Sequence, residues 1–291
     1  MNRQKSIWRR CLGRGAIRRL EILILAVISI ARVDSAQWVP HPDPVWTHYA
    51  TNVGGIERFI LQDGTGVDLN TGSAIKARFT GGQREVVLIH GEALLTVVHR
   101  TNWPFLVRAG GATIHAAGTK FSVRLRDNAA ADVLVIEGRI AIEGGREPAL
   151  ANVSRSQVQT PFALIVSAGE SIAMNSTTVL ARATLSPTTV KRRTAWTDGW
   201  IWFFKDPLPE AVAELNRYHR EQVVLVDPAL GRLEIGGRFR SSDLDSFIAT
   251  LEHSFDVRAR PPVVHGTGAA TIYLTASCVR AEQQCNWPKV Q

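Results

Sequence analysis

Residues 86–141 read VVLIHGEALLTVVHRTNWPFLVRAGGATIHAAGTKFSVRLRDNAAADVLVIEGRIA. Short apolar runs are cut at close intervals by Gly91-Glu92, Gly110-Gly111, Gly118-Thr119 and Glu137-Gly138. Strands of a few residues, separated by glycines free to take positive φ in tight turns, produce this rhythm, and antiparallel β-structure is expected. Within it Phe121, Val123 and Leu125 alternate with Lys120, Ser122, Arg124 and Arg126, as a half-buried strand requires. Upstream, 57–70 form a hairpin across Asp63-Gly64, and 74–80 pair with 84–90 across Gly81-Gly82. Further strands are expected over 93–98, 105–109, 113–116, 119–126, 132–137 and 139–143, then over 162–167, 172–174 and 179–183. Sustained helical periodicity is absent between 57 and 183, so residues 57–184 are expected to form one β-rich domain, a sandwich or a stacked-strand architecture.

The pattern changes after a segment carrying Pro187, several threonines and Lys191-Arg192-Arg193, read as a linker over 185–195. Residues 200–204 form an aromatic strand. Asp206-Pro207 should cap a helix whose apolar stripe is Leu208, Ala211, Val212 and Leu215. Strands follow at 222–226, closed by Asp227-Pro228, and at 232–240. Ser242 and Asp245 suggest a capping box for a second helix carrying Leu244, Phe247, Ile248 and Leu251 on one face. Strands at 255–259 and 271–275 complete a β-α-β-β-α-β-β unit over 196–276. The fold class is therefore mainly β: a β-rich domain followed by a small α+β domain. Trp196, Trp200, Trp202, Phe203, Phe204 and Tyr218 cluster in this unit, either as a ligand-binding or sugar-binding surface or as core; Trp200, Trp202 and Phe204 share a strand face and are expected to be core packed by the first helix.

The formal charge of +8 is local. Residues 1–19 hold seven of the 34 basic residues and no acid, which leaves 27 against 26 acidic ones in the rest. A nearly neutral body lacks the basic face that nucleic-acid binding needs. The tail precedes the apolar run 22–31, a positive-inside arrangement that places the remainder outside the cytoplasm. Residues 20–35 serve either as a short membrane anchor or as a cleaved signal segment with Val33 and Ser35 before the cut. Prolines at 40, 42 and 44 make 36–56 an extended spacer. Of three cysteines, Cys11 lies in the basic tail, while Cys278 and Cys285 lie in the C-terminal tail 277–291. An oxidising compartment permits a disulfide between the latter two; two free thiols is the other reading.

Enzyme motifs (HExxH, GxSxG, P-loop, CxxC) are absent, and no cofactor or metal is expected. His90, His99 and His115 lie in the β domain as scattered residues rather than as a ligand set. Glu92 and Glu137 flank turn glycines and read as turn caps or solvent-facing carboxylates. Chemistry is plausible at Gly118-Thr119. A threonine hydroxyl can attack the carbonyl before it in an N-to-O acyl shift, and glycine there tolerates the strain this needs. The bland alternative is a glycine ending one strand and a threonine starting the next.

Gly91-Glu92-Ala93, Pro104-Phe105 with Val107, Gly118-Thr119 with Phe121 and Val123, and Val135-Ile136-Glu137-Gly138 together resemble the periplasmic domain of FecR-type sigma-factor regulators. Trp196, Gly199, Leu215-Asn216-Arg217-Tyr218, Asp227-Pro228 and Gly237-Arg238-Phe239 are similar to the C-terminal region of the same regulators, with the fold of the short domain of secretins and TonB-dependent transducers. The resemblance implies a non-enzymatic, single-pass inner-membrane protein with its bulk in the periplasm. It would bind the signalling domain of an outer-membrane TonB-dependent receptor and regulate an extracytoplasmic-function sigma factor in an iron-uptake setting. It further implies self-cleavage between Gly118 and Thr119, known for some members. Family members usually carry a folded cytoplasmic region before the membrane segment, a position held here by residues 1–19. The alternative is an exported, periplasmic binding or assembly module, docking on a secretin-like or receptor complex with no cytoplasmic role.

Overall fold

The computed structural model describes residues 45–126, 130–143, 164–175, 178–265 and 269–276. Residues 20–35, Cys278 and Cys285 lie outside them. Among the described residues no helix is long and apolar enough to cross a membrane.

Fourteen strands make up the first part. In chain order they are β1 (Thr47–Ala50), β2 (Glu57–Ile60), β3 (Gly66–Leu69), β4 (Ala74–Phe79), β5 (Arg84–His90), β6 (Glu92–Thr96) and β7 (Phe105–Ala109). There follow β8 (Ala112–Ala116), β9 (Lys120–Leu125), β10 (Ala131–Glu137), β11 (Arg139–Glu143), β12 (Leu164–Ser167), β13 (Glu170–Met174) and β14 (Val179–Thr184). They form two seven-stranded sheets, ordered β1-β4-β5-β7-β8-β11-β12 and β14-β13-β10-β9-β6-β3-β2. The apolar positions of both sheets enter one core, in which Ile75, Phe105, Ile114, Phe121, Val123 and Ile142 are wholly buried. This is the two-sheet reading of the expected β domain, and it begins earlier than expected. The spacer assigned to 36–56 already contains β1, whose register sets Tyr49 opposite Ile75 and packs Tyr49 on the core.

The glycines do something other than close hairpins. At Gly91, Gly118, Gly138 and Gly169, all with positive φ, the chain leaves one sheet and enters the other. Of the four breaks in 86–141, only Gly110-Gly111 joins two paired strands, β7 and β8. Because β6 has crossed to the second sheet, β7 returns beside β5 in parallel, an exception to the antiparallel expectation. Gly91 shows why the corner demands glycine. At φ 83 its missing Cβ would sit 2.6 Å from Ser73 Cα and 2.2 Å from Ser73 Oγ.

The segment 185–195, expected as a linker, contains the helix α1 (Pro187–Arg193). Ser186 caps it by accepting from the Thr189 amide at 3.1 Å, Pro187 occupies its first position, and its basic residues fall in the last turn, where the dipole favours them. Arg192 then grips both oxygens of Asp206 at 3.1 and 2.8 Å. The last part comprises β15 (Trp200–Pro207), α2 (Leu208–Asn216), β16 (Gln222–Leu225), β17 (Glu234–Arg240), α3 (Leu244–Ser254), β18 (Val257–Ala259), β19 (Val263–His265) and β20 (Ala269–Ala276). β15 pairs with β17 alone, while β16, β18 and β19 gather on β20. Both helices bury the expected stripes, α2 through Leu208, Ala211, Val212 and Leu215 and α3 through Leu244, Phe247, Ile248 and Leu251.

Their caps differ from expectation. Asp206 belongs to β15, where it accepts from the Phe204 amide across a bulge and from Arg192, so α2 starts without a side-chain cap. Asp243, rather than Ser242 and Asp245, caps α3, accepting from the Ser246 amide and hydroxyl at 3.0 and 2.6 Å.

The aromatic strand is inverted relative to expectation. Ile201 and Phe203 point into the core, where Phe203, Phe239 and Phe247 pack with ring centroids 5.1–6.0 Å apart. Trp200 and Trp202 stand half-buried on the other face, and Phe204 is 67% exposed.

Candidate functional site: a polar latch, a cleft and a glycine corner

Two family-like sequence marks, far apart in the chain, meet in space. Glu92 begins β6 directly after the Gly91 corner, and Arg217-Tyr218 follow α2. Glu92 Oε2 accepts from Arg217 Nη2 at 3.0 Å and from Asn70 Nδ2 at 2.9 Å. Asn70 Nδ2 also donates to the Tyr218 hydroxyl at 2.9 Å, and the Thr71 hydroxyl donates to the Arg217 carbonyl at 2.9 Å. Arg217 Nη1 reaches Glu214 Oε1 at 2.5 Å, and Glu214 Oε2 accepts from Arg124 of β9 at 2.8 Å. A closed network thus ties the second sheet to the end of α2. Glu92 is buried, so its expected role as a turn cap or solvent-facing group is corrected; Glu137 is exposed as expected.

Burial pushes the Glu214 carboxyl up, but Arg217 and Arg124 more than offset it and hold it below the usual carboxylate range. Arg217 loses by burial and gains more from Glu214 and Glu92, so it stays charged throughout. Burial, reinforced by Glu214, raises the Tyr218 hydroxyl, which remains a neutral hydrogen-bonding group. Asn216, between these functions, closes the turn into β16 through two 2.8 Å bonds with Val223. The marks themselves were legible in sequence; their meeting was not.

Beside the latch lies a cleft of about 1220 Å³, walled by β9, α1, α2 and the outward face of β15. Its side chains include Arg124, Arg193, Trp196, Trp200 and Trp202. Arg193 is exposed in area yet sits where desolvation lowers its pKa, a loss only partly offset by Asp132 and Glu92.

Gly118-Thr119 forms the corner between β8 and β9. Gly118 has φ 98, and a Cβ there would lie 2.8 Å from His99 Cβ and 2.9 Å from His99 Nδ1. Thr119 is buried, its hydroxyl donating to the Arg139 carbonyl at 2.9 Å and its carbonyl accepting from the Val97 amide at 3.0 Å. On the other side, a Cβ on Gly138 would lie 3.4 Å from the Gly118 carbonyl oxygen and 3.5 Å from Thr119 Oγ1. The bond between the two residues is therefore flanked by the Gly138 corner and by His99 of the β6–β7 connection. Its hydroxyl is within the same residue pair as the carbonyl it would attack, and a carbonyl rather than a base holds its proton.

The histidines stay apart. His90 Nδ1 bonds the Gly72 carbonyl, His99 Nδ1 the Ala117 carbonyl, and His115 Nε2 meets Glu143. Among the described residues no cluster of metal-ligating side chains occurs.

Residues 47–141 match the family model for FecR protein. The curated proteins contain no match. Two crystal structures of a candidate anti-sigma factor from Parabacteroides distasonis share the fold at 23% identity, with TM-scores of 0.58 and 0.59. They cover 80% and 79% of this chain and 100% and 99% of their own. The likeness thus extends well past the matched segment into the α+β part. Residues 47–141 thus form a FecR-type domain.

Proposed function

We propose that the chain is a signal-relay regulator of an extracytoplasmic-function sigma factor, anchored in the inner membrane by residues 20–35 with residues 36–291 in the periplasm. It is not an enzyme acting on a separate substrate. The signal comes from the periplasmic signalling domain of an outer-membrane TonB-dependent receptor, in an iron-uptake setting. The observation that carries this reading is the latch: a FecR domain joined by Glu92, Arg217 and Glu214 to a unit of the fold expected to meet such a receptor. A partner arriving at the α+β unit thereby acts on the sheet that holds the FecR motifs. The crystal structures named for an anti-sigma factor lend support through their fold.

Deleting the gene should change transcription from promoters of a neighbouring extracytoplasmic-function sigma factor several-fold. A C-terminal alkaline phosphatase fusion should be active and stay with inner-membrane vesicles. An active fusion released as a soluble periplasmic protein, with transcription unchanged, would replace the relay by the exported assembly module.

The relay includes a cleavage of the Gly118–Thr119 bond. Thr119 Oγ bonds to the Gly118 carbonyl carbon, the C–N bond breaks, and the hydroxyl proton passes to the freed Thr119 nitrogen, leaving an ester. Water then splits the ester, giving a Gly118 carboxylate and restoring the Thr119 hydroxyl. The corner favours this by holding Gly118 at positive φ, and the hydroxyl must first release the Arg139 carbonyl.

A further inference from the structure

The outward face of the β15–β17 ribbon is built of alternating indoles and guanidiniums. Register sets Arg240 opposite Trp200 and Arg238 opposite Trp202. The Arg240 guanidinium lies 3.9 Å from the Trp200 ring centroid, and that of Arg238 lies 5.0 and 5.4 Å from the two rings. Cation–π contact holds these guanidiniums against the indoles, with N–H groups available to a carboxylate. Phe204 extends the row into solvent.

Charge bookkeeping across the cleft decides what would bind. Of its five carboxylates four are already engaged, Glu92 and Glu214 by Arg217, Asp132 by Arg126 and Asp206 by Arg192, and Glu210 stands exposed without an ion-pair partner among the described residues. Against that one free acid, Arg193 in the cleft wall, and Arg238 and Arg240 beside the cleft on β17, have no ion-pair partner among the described residues. In addition, the buried Trp196 Nε1–H, in the cleft wall, finds no acceptor among the described residues. A buried donor without an acceptor costs about 1–3 kcal/mol and marks a place where an incoming acceptor would gain. The unmet demand is for anions, set beside flat apolar rings.

We propose that this cleft, together with the adjoining outward face of the β15–β17 ribbon, binds an extended acidic segment of a partner protein, its carboxylates on Arg193, Arg238 and Arg240 and its apolar groups across Trp200 and Trp202. The cleft is larger than the roughly 300–1,000 Å³ that small-molecule sites occupy, which favours a length of chain. It is also concave, with β9 and α1 facing the ribbon, so a flat membrane surface would reach Phe204 but not the indoles together with Arg193. This adds to the relay reading the chemistry of the incoming partner. It is read on purified protein rather than by transcription, so either can fail alone.

The test uses the full chain and a fluorescein-labelled (Glu-Thr)5 peptide, whose strand period puts every carboxylate on one face. Anisotropy should show binding that weakens with salt, quenches tryptophan emission, and exceeds binding of (Gln-Thr)5. Arg238→Gln with Arg240→Gln should weaken it about ten-fold or more, as should Arg193→Gln with Trp202→Ala, each with an unchanged circular dichroism spectrum. Binding that survives both pairs of substitutions belongs to the basic tail and overturns the proposal. So does equal binding of the glutamine peptide. Capture by phosphatidylglycerol vesicles through Arg238 and Arg240, with no effect of (Glu-Thr)5, would make the face a membrane contact instead.

Discussion

Gly91 and Gly118 are visible in the sequence as breaks, yet nothing there tells a hairpin from a change of sheet, since both ask for positive φ. What separates them is a neighbour distant in sequence: Ser73 against Gly91, His99 against Gly118. The energetic consequence differs from that of an ordinary turn glycine. Gly91→Ala must move Ser73 backbone as well as strain φ, and should cost more than about 3 kcal/mol. Gly81→Ala, with nothing within 4 Å and no positive φ, should be near neutral. Urea midpoints of the two variants give the comparison; equal midpoints would mean the corner relaxes freely. At Gly118 the same constraint bears on chemistry. Intact mass spectrometry of purified protein should show two fragments meeting between Gly118 and Thr119. Thr119→Ala removes the nucleophile and should leave one chain, while Thr119→Ser should still break. An uncut wild type, or an alanine variant broken at the same bond, reduces Gly118 to a sheet corner and nothing more.

Among elements, periodicity located nearly every strand and both amphipathic helices, but it could not orient a strand that is apolar on both faces. Ile201 and Phe203 alternate with Trp200, Trp202 and Phe204, and period two says only which residues share a side. The deciding signal sits on the partner strand, where Phe239 alternates with Arg238 and Arg240 and so assigns the tryptophan side to the charges. The helix in the expected linker was similarly legible in Ser186-Pro187, an N-cap followed by proline at the first position, against a composition that suggested a spacer. The latch was not legible, because Glu92 and Arg217 are 125 residues apart and each alone reads as a surface charge. Its strength can be measured. Arg217→Ala leaves the buried Glu92 without its cation and Glu214 with Arg124 alone, and should cost about 3 kcal/mol at pH 7. The pH dependence has a definite sign. Because the Glu214 pKa is depressed in the folded protein, its contribution is present above the unfolded carboxyl value of about 4.3 and fades as pH falls through the folded value. In the variant, burial is less opposed and the same carboxyl rises, so protonation relieves it. Urea midpoints should therefore differ less between wild type and variant at pH 4 than at pH 7; a gap that widens on acidification would rule out Glu214 as the coupled group.

At the scale of the molecule, two hydrophobic clusters coexist, one between the two large sheets and one around α2 and α3. The second cluster includes Leu94, with Ile56 and Ile136 packed against it, all from the first part of the chain. We propose that the two parts are separate folding units, the first starting at β1 rather than at 57 and running over 47–184 and the second over 196–276, joined by this apolar seam and the latch. Leu251 lies on α3 within the second cluster and is about 1% exposed. Leu251→Asp places an unpaired carboxylate in that core and should unfold the α+β unit. The first core has its own closed set of wholly buried residues, so the two sheets should survive, weakened by loss of the seam alone. Amide exchange followed by mass spectrometry separates the outcomes. Fast exchange over 200–276 with retained protection in β9 and β10 supports two units coupled through the seam and the latch. Uniform fast exchange across 47–276 would instead make the described chain one cooperative body, in which a partner at the α+β unit would act on the Gly118 corner through overall stability rather than through a defined contact.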